Sequence, residues 1–176
     1  MQSLISQQQV VLMDKGMKYP DTEAYKFVVE RLSELGVSLD DIAEIVYGLE
    51  GKYLPKLTIN DCLDAVVNVV HKREVLNNAM SGLELDRLTQ EGLIKEPLAS
   101  IIKNDIGVFG TDESLALAIS QLYGSIGTTN YGYVDKDKTG IIKKLDTDDN
   151  RVNTFSDDLV GAIASAAAAK VAHDNS

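Results

Sequence analysis

Apolar residues along the chain recur at intervals of three and four and almost nowhere alternate as in strands, so the pattern predicts an all-α protein. A first helix is expected over Leu4–Lys15, ending near Gly16. Pro20-Asp21 opens a second, with Ala24, Phe27, Val28 and Leu32 on one face before Gly36 stops it. Ser38-Leu39-Asp40-Asp41 starts a third, carrying Ile42, Ile45, Val46 and Leu49. Thr58-Ile59-Asn60-Asp61 reads as a capping box for a long helix reaching about Ala79, with Leu63, Val66, Val67 and Val70 turned inward. Shorter helices follow over Leu83–Thr89, from Pro97 to about Lys103, and from Thr111-Asp112-Glu113-Ser114 onward through Leu122.

The C-terminal stretch organises the rest. Ala162, Ala164, Ala166, Ala167, Ala168 and Ala169 present so little side-chain volume that neighbouring helices can approach from all sides. The expectation is one compact helical bundle over residues 1–176, built around this alanine-rich helix. Thr154 and Asp157 have the spacing of a capping box, and the adjacent acids Asp157 and Asp158 suit the positive end of a helix dipole. The same pair at a tightly packed helix start is also a candidate metal-binding turn.

Two further stretches carry candidate chemistry. Asp61, Asp64, Asn68 and His71 recur at three, four and three, which puts them on one helical face, and Glu74 stands one turn beyond. A solvated polar face accounts for such a stripe, and so does a divalent-metal site in a bundle. Gly124-Ser125-Ile126-Gly127-Thr128-Thr129-Asn130 is rich in glycine and hydroxyls, as expected of a loop that turns sharply or wraps an oxyanion. It lacks the lysine of a P-loop. Lys72 and Arg73 are candidates to offset the charge of a bound phosphate.

A net charge of -10 argues against nucleic acid as a partner and against broad adsorption to an anionic membrane. At 176 residues and 44% hydrophobic the chain can bury a real core. It has no apolar run of membrane-spanning length and no signal-peptide pattern at its N-terminus, so a soluble, cytoplasmic protein is expected. The single cysteine, Cys62, lies in an apolar helical pattern and reads as a buried thiol.

Asp135-Lys136-Asp137-Lys138-Thr139-Gly140 resembles the first half of an EF-hand loop, but Asp146 stands where the bidentate Glu belongs and no helix is expected to enter it. Asp146, Asp148, Asn150 and Asp157 give a looser match, with Arg151 at the glycine position. Leu145-Asp146-Thr147-Asp148 is similar to the Asp-x-Asp start of haloacid-dehalogenase phosphatases, whose acids end a buried strand that Ile141-Ile142-Lys143-Lys144 is poorly suited to form.

Tyr123-Gly124-Ser125-Ile126-Gly127-Thr128-Thr129-Asn130, followed by Asp157-Asp158-Leu159-Val160-Gly161-Ala162, resembles the phosphatidylglycerophosphatase A family, and most closely its soluble branch of low-temperature-requirement C proteins from Gram-positive bacteria. Lys72-Arg73-Glu74-Val75 and Leu85-Asp86-Arg87-Leu88 extend the likeness, which covers most of residues 38–173, the helices of residues 1–37 lying before it. Asp158 replaces the family's usual Glu, the proline that often opens the Gly-Thr loop is absent, and so are the membrane-spanning segments.

The resemblance implies a compact helical domain and Mg²⁺-dependent hydrolysis of a phosphate monoester, phosphatidylglycerophosphate in the membrane-bound members. On that basis Asp157 and Asp158 are expected to be catalytic. They would hold Mg²⁺ or another divalent cation with one or more of Asp61, Asp64, His71 and Glu74. Gly124, Ser125, Gly127, Thr128, Thr129 and Asn130, with Lys72 and Arg73, would bind the phosphate. A phospholipid headgroup or phosphorylated small molecule is the expected partner, with transient membrane-surface contact and a homo-oligomer as further expectations. The alternative is a non-catalytic helical protein that binds a metal, a headgroup or a protein.

Overall fold

The computed structural model describes residues 14–176. Its helices are α1 (Asp21–Glu34), α2 (Leu39–Glu50), α3 (Ile59–Val70), α4 (Arg73–Gln90), α5 (Leu98–Lys103), α6 (Thr111–Ser120), α7 (Gly124–Lys136), α8 (Gly140–Asp146) and α9 (Ser156–Asp174), with a 3-10 turn at Gln121–Tyr123. The described residues contain no strand, and the all-α class holds. The helix expected over Leu4–Lys15 falls almost wholly outside the described residues.

Short-range capping follows from the sequence. The Ser38 hydroxyl accepts the Asp41 N–H at 3.1 Å while the Asp41 carboxylate accepts the Ser38 N–H at 2.7 Å. Thr58 and Asp61 form the same reciprocal pair at 3.2 and 2.8 Å. Each box satisfies two backbone donors that an α-helix leaves open at its start.

α9 is buried at every position from Ser156 to Ala169 and packs against α2, α3, α4, α6, α7 and α8. Leu159 and Ile163, with Phe155 just before the helix, are its largest fully buried side chains. Burying each is worth about 1.5–3 kcal/mol. The alanines between them let the surrounding helices close in.

Three expected boundaries shift. The helix from Thr58 does not continue to Ala79: His71 and Lys72 interrupt it, with Lys72 extended (ψ 130) as the N-cap of α4. The Val66, Val67, Val69 and Val70 cluster is weak helix-forming material. The break also lets α3 follow α2 and α9 while α4 packs on α1 and α6. Gly82 does not start a short helix; it lies inside α4 where that helix meets α9. A Cβ there would stand 2.8 Å from Leu159 Cδ1 and 3.0 Å from Phe155 Cβ.

The glycine-rich run is not a loop either. It forms the first turns of α7, and a Cβ on Gly127 would collide with the Ser120 carbonyl oxygen. Gly127 therefore serves the tight passage from α6 into α7.

No EF-hand forms. α7 runs through Asp135 and Lys136, and α8 starts at Gly140, within the span a calcium loop would occupy. Cys62 is buried, and burial pushes its thiol up to about 11.

Candidate functional site

The N-terminus of α9 is capped from a distance. The Thr154 hydroxyl donates to the Ile102 carbonyl at 2.6 Å instead of capping the helix. The cap is Asp86 of α4: its carboxylate accepts the Phe155 N–H at 3.1 Å, the Ser156 N–H at 2.9 Å and the Ser156 hydroxyl at 2.6 Å. The expected Thr154/Asp157 capping box is thus replaced, and Asp157 and Asp158 are left for other partners. Burial of Asp86 raises its carboxyl to about 7, against the lowering effect of those three donors.

Asp157 meets a lysine. Lys138, between α7 and α8, places Nζ 2.7 Å from Asp157 Oδ2 and 2.6 Å from Asp146 Oδ1. Burial lifts the Asp157 carboxyl to about 6 even with that ammonium beside it. Burial also opposes the charge on Lys138, but its bonds to Asp146 and Asp157 outweigh this and hold its pKa above the ordinary lysine value.

Asp158, one residue on, points into a different group. Carboxylate oxygens of Asp158, Asp112 and Glu113 all lie within 4.8 Å of one another. Asp112 and Glu113 occupy the first turn of α6, entered through Gly110 in the left-handed region (φ 64). The starts of α6 and α9 therefore converge, and their positive ends offset part of the repulsion. Burial raises Asp158, helped by the charges of Asp157, Asp135 and Asp112; burial likewise raises Asp112, helped by Glu113. From α7, buried Tyr131 stands beside Asp158, and burial followed by the Asp158 charge drives its phenol well above the ordinary tyrosine value.

The donor set fits a hard divalent cation. Asp112 Oδ1 and Glu113 Oε2 are buried with no hydrogen-bond partner, and Tyr131 Oη is likewise unpartnered. Three carboxyl groups packed together with oxygens left open are costly without a compensating charge. Oxygen-only ligands select Mg²⁺-like ions over zinc or copper.

The structure does not bring the polar stripe of α3 to this cluster. Asp61 is held in its cap with Thr58. Asp64 lines a groove with Lys170 and Asp174, at the far end of α9 and about 20 Å along the helix from Asp157 and Asp158. The His71 ring stacks on Tyr25 at 4.1 Å, with Nδ1 2.8 Å from the Val67 carbonyl. Glu74 is exposed in the first turn of α4.

The expected phosphate ligands are also spread. Arg73 is engaged by both oxygens of Asp21, at 2.7 and 2.8 Å, and Lys72 lies over the Tyr123 ring. Gly124, Ser125, Gly127, Thr128 and Thr129 form the start of α7, where the Thr128 hydroxyl turns back to the Gly124 carbonyl. Gly124 is about 16 Å along α7 from Asp135, the residue whose charge acts on Asp158. Asn130, half-buried, is nearer that end.

Sequence reasoning did not single out Asp112, Glu113, Tyr131 or Lys138 as candidates. The signal for the first two was present, since Asp112-Glu113 opens α6 as Asp157-Asp158 opens α9. Lys138 was hidden inside the calcium-like run.

Fold and site together define an all-helical protein with a buried, carboxylate-only cluster where two helix starts meet. The chain belongs to the phosphatidylglycerophosphatase A family, whose model matches residues 44–173. It is 43% identical over 156 residues to the uncharacterized protein YpjQ of Bacillus subtilis, covering 89% of this chain and 88% of that one. It is 48% identical over 144 residues to the uncharacterized YutG of the same organism, covering 81% and 87%. The crystal structure of the low temperature requirement C protein from Listeria monocytogenes matches with a TM-score of 0.83 and 48% identity, over 86% of this chain and 96% of that one. The branch expected from the two sequence motifs is therefore the one in which the relatives lie.

Proposed function

We propose that this protein is a cytoplasmic, divalent-cation-dependent phosphatase that hydrolyses a phosphate monoester, with phosphatidylglycerophosphate as its substrate. The observation that carries this reading is the Asp112–Glu113–Asp158 cluster, with two of its buried oxygens unpartnered, in a chain of this family. Those three residues would hold Mg²⁺. The ion would supply positive charge to the phosphoryl oxygens and make a water more acidic.

The chain's own groups account for the rest. Lys138, 24% exposed, presents an ammonium at the edge of the cluster, where a phosphoryl oxygen can meet it. It takes the part expected of Lys72 and Arg73, which are engaged elsewhere. Asp157, held by Lys138 through Oδ2 and with a pKa of about 6, has the proton affinity to accept a proton from the attacking water at its other oxygen, Oδ1. Tyr131 and the buried first turns of α6 and α9 exclude bulk water behind the cluster.

The test is phosphate release from phosphatidylglycerophosphate in mixed micelles, with and without Mg²⁺, run beside a soluble phosphomonoester. Mg²⁺-dependent release from the lipid is expected. Release from the soluble compound alone would overturn the lipid assignment, and release from neither would overturn the phosphatase reading.

A further inference from the structure

A cleft of about 230 Å³ lies where the α8–α9 loop meets the end of α5 and the first turn of α9. Its wall carries Asp105, Asp146, Asp148, Asp149 and Asp157, and none of Asp112, Glu113 and Asp158. Lys103 and Arg151 also line it, and Lys138 engages one oxygen each of Asp146 and Asp157. Arg151 is partly occupied elsewhere: its Nη1 donates to the Glu34 carbonyl at 3.1 Å, and its Nε stands 3.9 Å from Asp148. Five carboxylates against three cations leave the cleft with an excess of negative charge.

The same wall holds a buried amide. Asn153 is only 8% exposed, and its Nδ2 donates to the Leu145 carbonyl at 3.0 Å, which fixes the end of the amide that is oxygen. Oδ1 is thereby left buried with no hydrogen-bond partner. The Asp157 N–H donates to the Asn153 carbonyl at 3.4 Å, which ties this residue to the first turn of α9. None of the cleft's own cations reaches Asn153 Oδ1. An oxygen that can only accept, set among carboxylates that can only accept, is costly to bury unless a cation or its water meets it.

We infer that this cleft is a second divalent-cation site, separate from the Asp112–Glu113–Asp158 cluster, with Asn153 Oδ1 as its neutral ligand and the carboxylates of Asp105, Asp146, Asp149 and Asp157 around it. Among the described residues, Asp112, Glu113 and Asp158 alone bring three carboxylate oxygens within 4.8 Å of one another. The second ion therefore keeps much of its water shell, which Mg²⁺ gives up reluctantly, and meets the aspartates through it. Asp157 faces the ion across a water, so its Oδ1 remains an acceptor. Oxygen donors without imidazole or thiolate select Mg²⁺ or Mn²⁺ over zinc or copper. The site stands on its own geometry. Only its service to phosphoryl transfer rests on the phosphatase reading above, in which it adds positive charge beside Asp157 and Lys138.

The experiment counts Mn²⁺ bound to the full chain by electron paramagnetic resonance, with melting curves to show that each variant is folded. Wild type is expected to hold two ions in saturable sites, and Glu113→Gln one. Asn153→Leu removes the unmet oxygen. Asp105→Asn/Asp149→Asn removes two charges from exposed residues, and it decides the matter if Asn153→Leu does not fold. Each should weaken one ion about tenfold or more and leave the other unchanged.

A single ion in wild type, loss of both ions in Glu113→Gln, or two ions of wild-type affinity in either folded cleft variant would overturn the second site. Two ions that respond as expected, with no phosphate released from any substrate, would sustain the second site and overturn the phosphatase reading alone.

Discussion

Asp158 shares its environment with two other acids, and this sets the expected behaviour of its substitution. In Asp158→Asn one ligand oxygen and one negative charge are lost. Mg²⁺-dependent phosphate release should vanish, while the metal-free protein melts no lower than wild type because repulsion with Asp112 and Glu113 is relieved. Mg²⁺ should raise the melting temperature of wild type, since a ligand that binds only the folded state stabilises it, and raise that of Asp158→Asn less. A calorimetric scan with and without the ion decides; equal shifts in both proteins would remove Asp158 from the ion site.

Asp86 supplies a pH dependence with a definite sign. Its folded pKa of about 7 lies above the ordinary carboxylate value, so the folded chain holds this proton more tightly than the unfolded one. The stability it contributes is full below the unfolded value, near 4, and is lost as pH rises through about 7. Asp157, with a folded pKa of about 6, has the same sign. The metal-free protein is expected to become less stable between about pH 5 and 8, while stabilisation by Mg²⁺ grows as the carboxyl groups give up their protons. Melting temperatures across that range check both, and a metal-free protein that gains stability over it would contradict the assignment to Asp86.

Among the helices, what was legible in the sequence was what neighbours in the chain decide. The Ser38/Asp41 and Thr58/Asp61 caps could be read because both partners stand three residues apart. The cap of α9 could not, because Asp86 acts on Ser156 from 70 residues away. Nor could periodicity show that Gly82 lies at a helix crossing or Gly127 against a carbonyl, since the atoms that forbid a side chain belong to other segments. The α3 stripe shows the converse: a regular spacing shared one face, but that face serves a cap, a groove and a stacked histidine. Gly82→Ala should destabilise the fold by about 1–3 kcal/mol through overpacking against Leu159 and Phe155. Asp86→Ala should cost about 1–3 kcal/mol through two backbone N–H groups left without an acceptor. Urea unfolding measures both, and wild-type stability in Asp86→Ala would show that the remote cap contributes nothing.

Across the described residues, a nearly featureless alanine helix becomes the part that α2, α3, α4, α6, α7 and α8 pack upon, and its crowded start is where the acids gather. Apolar spacing of three and four made the all-α class readable, and the Asp157-Asp158 pair pointed to the helix start beside which Asp112 and Glu113 also lie. The partners of that pair depended on which helix starts converge there, a property of packing. Asp112-Glu113, the same local pattern as Asp157-Asp158, acquires meaning only when α6 and α9 meet. The central claim is that this meeting point binds a cation and releases phosphate. Its most direct test is phosphate release from phosphatidylglycerophosphate micelles against Mg²⁺ concentration, in wild type, Glu113→Gln and His71→Ala. Wild type and His71→Ala should show the same saturable dependence, with Glu113→Gln reduced by about a hundredfold or more; full activity in Glu113→Gln with loss in His71→Ala would contradict it.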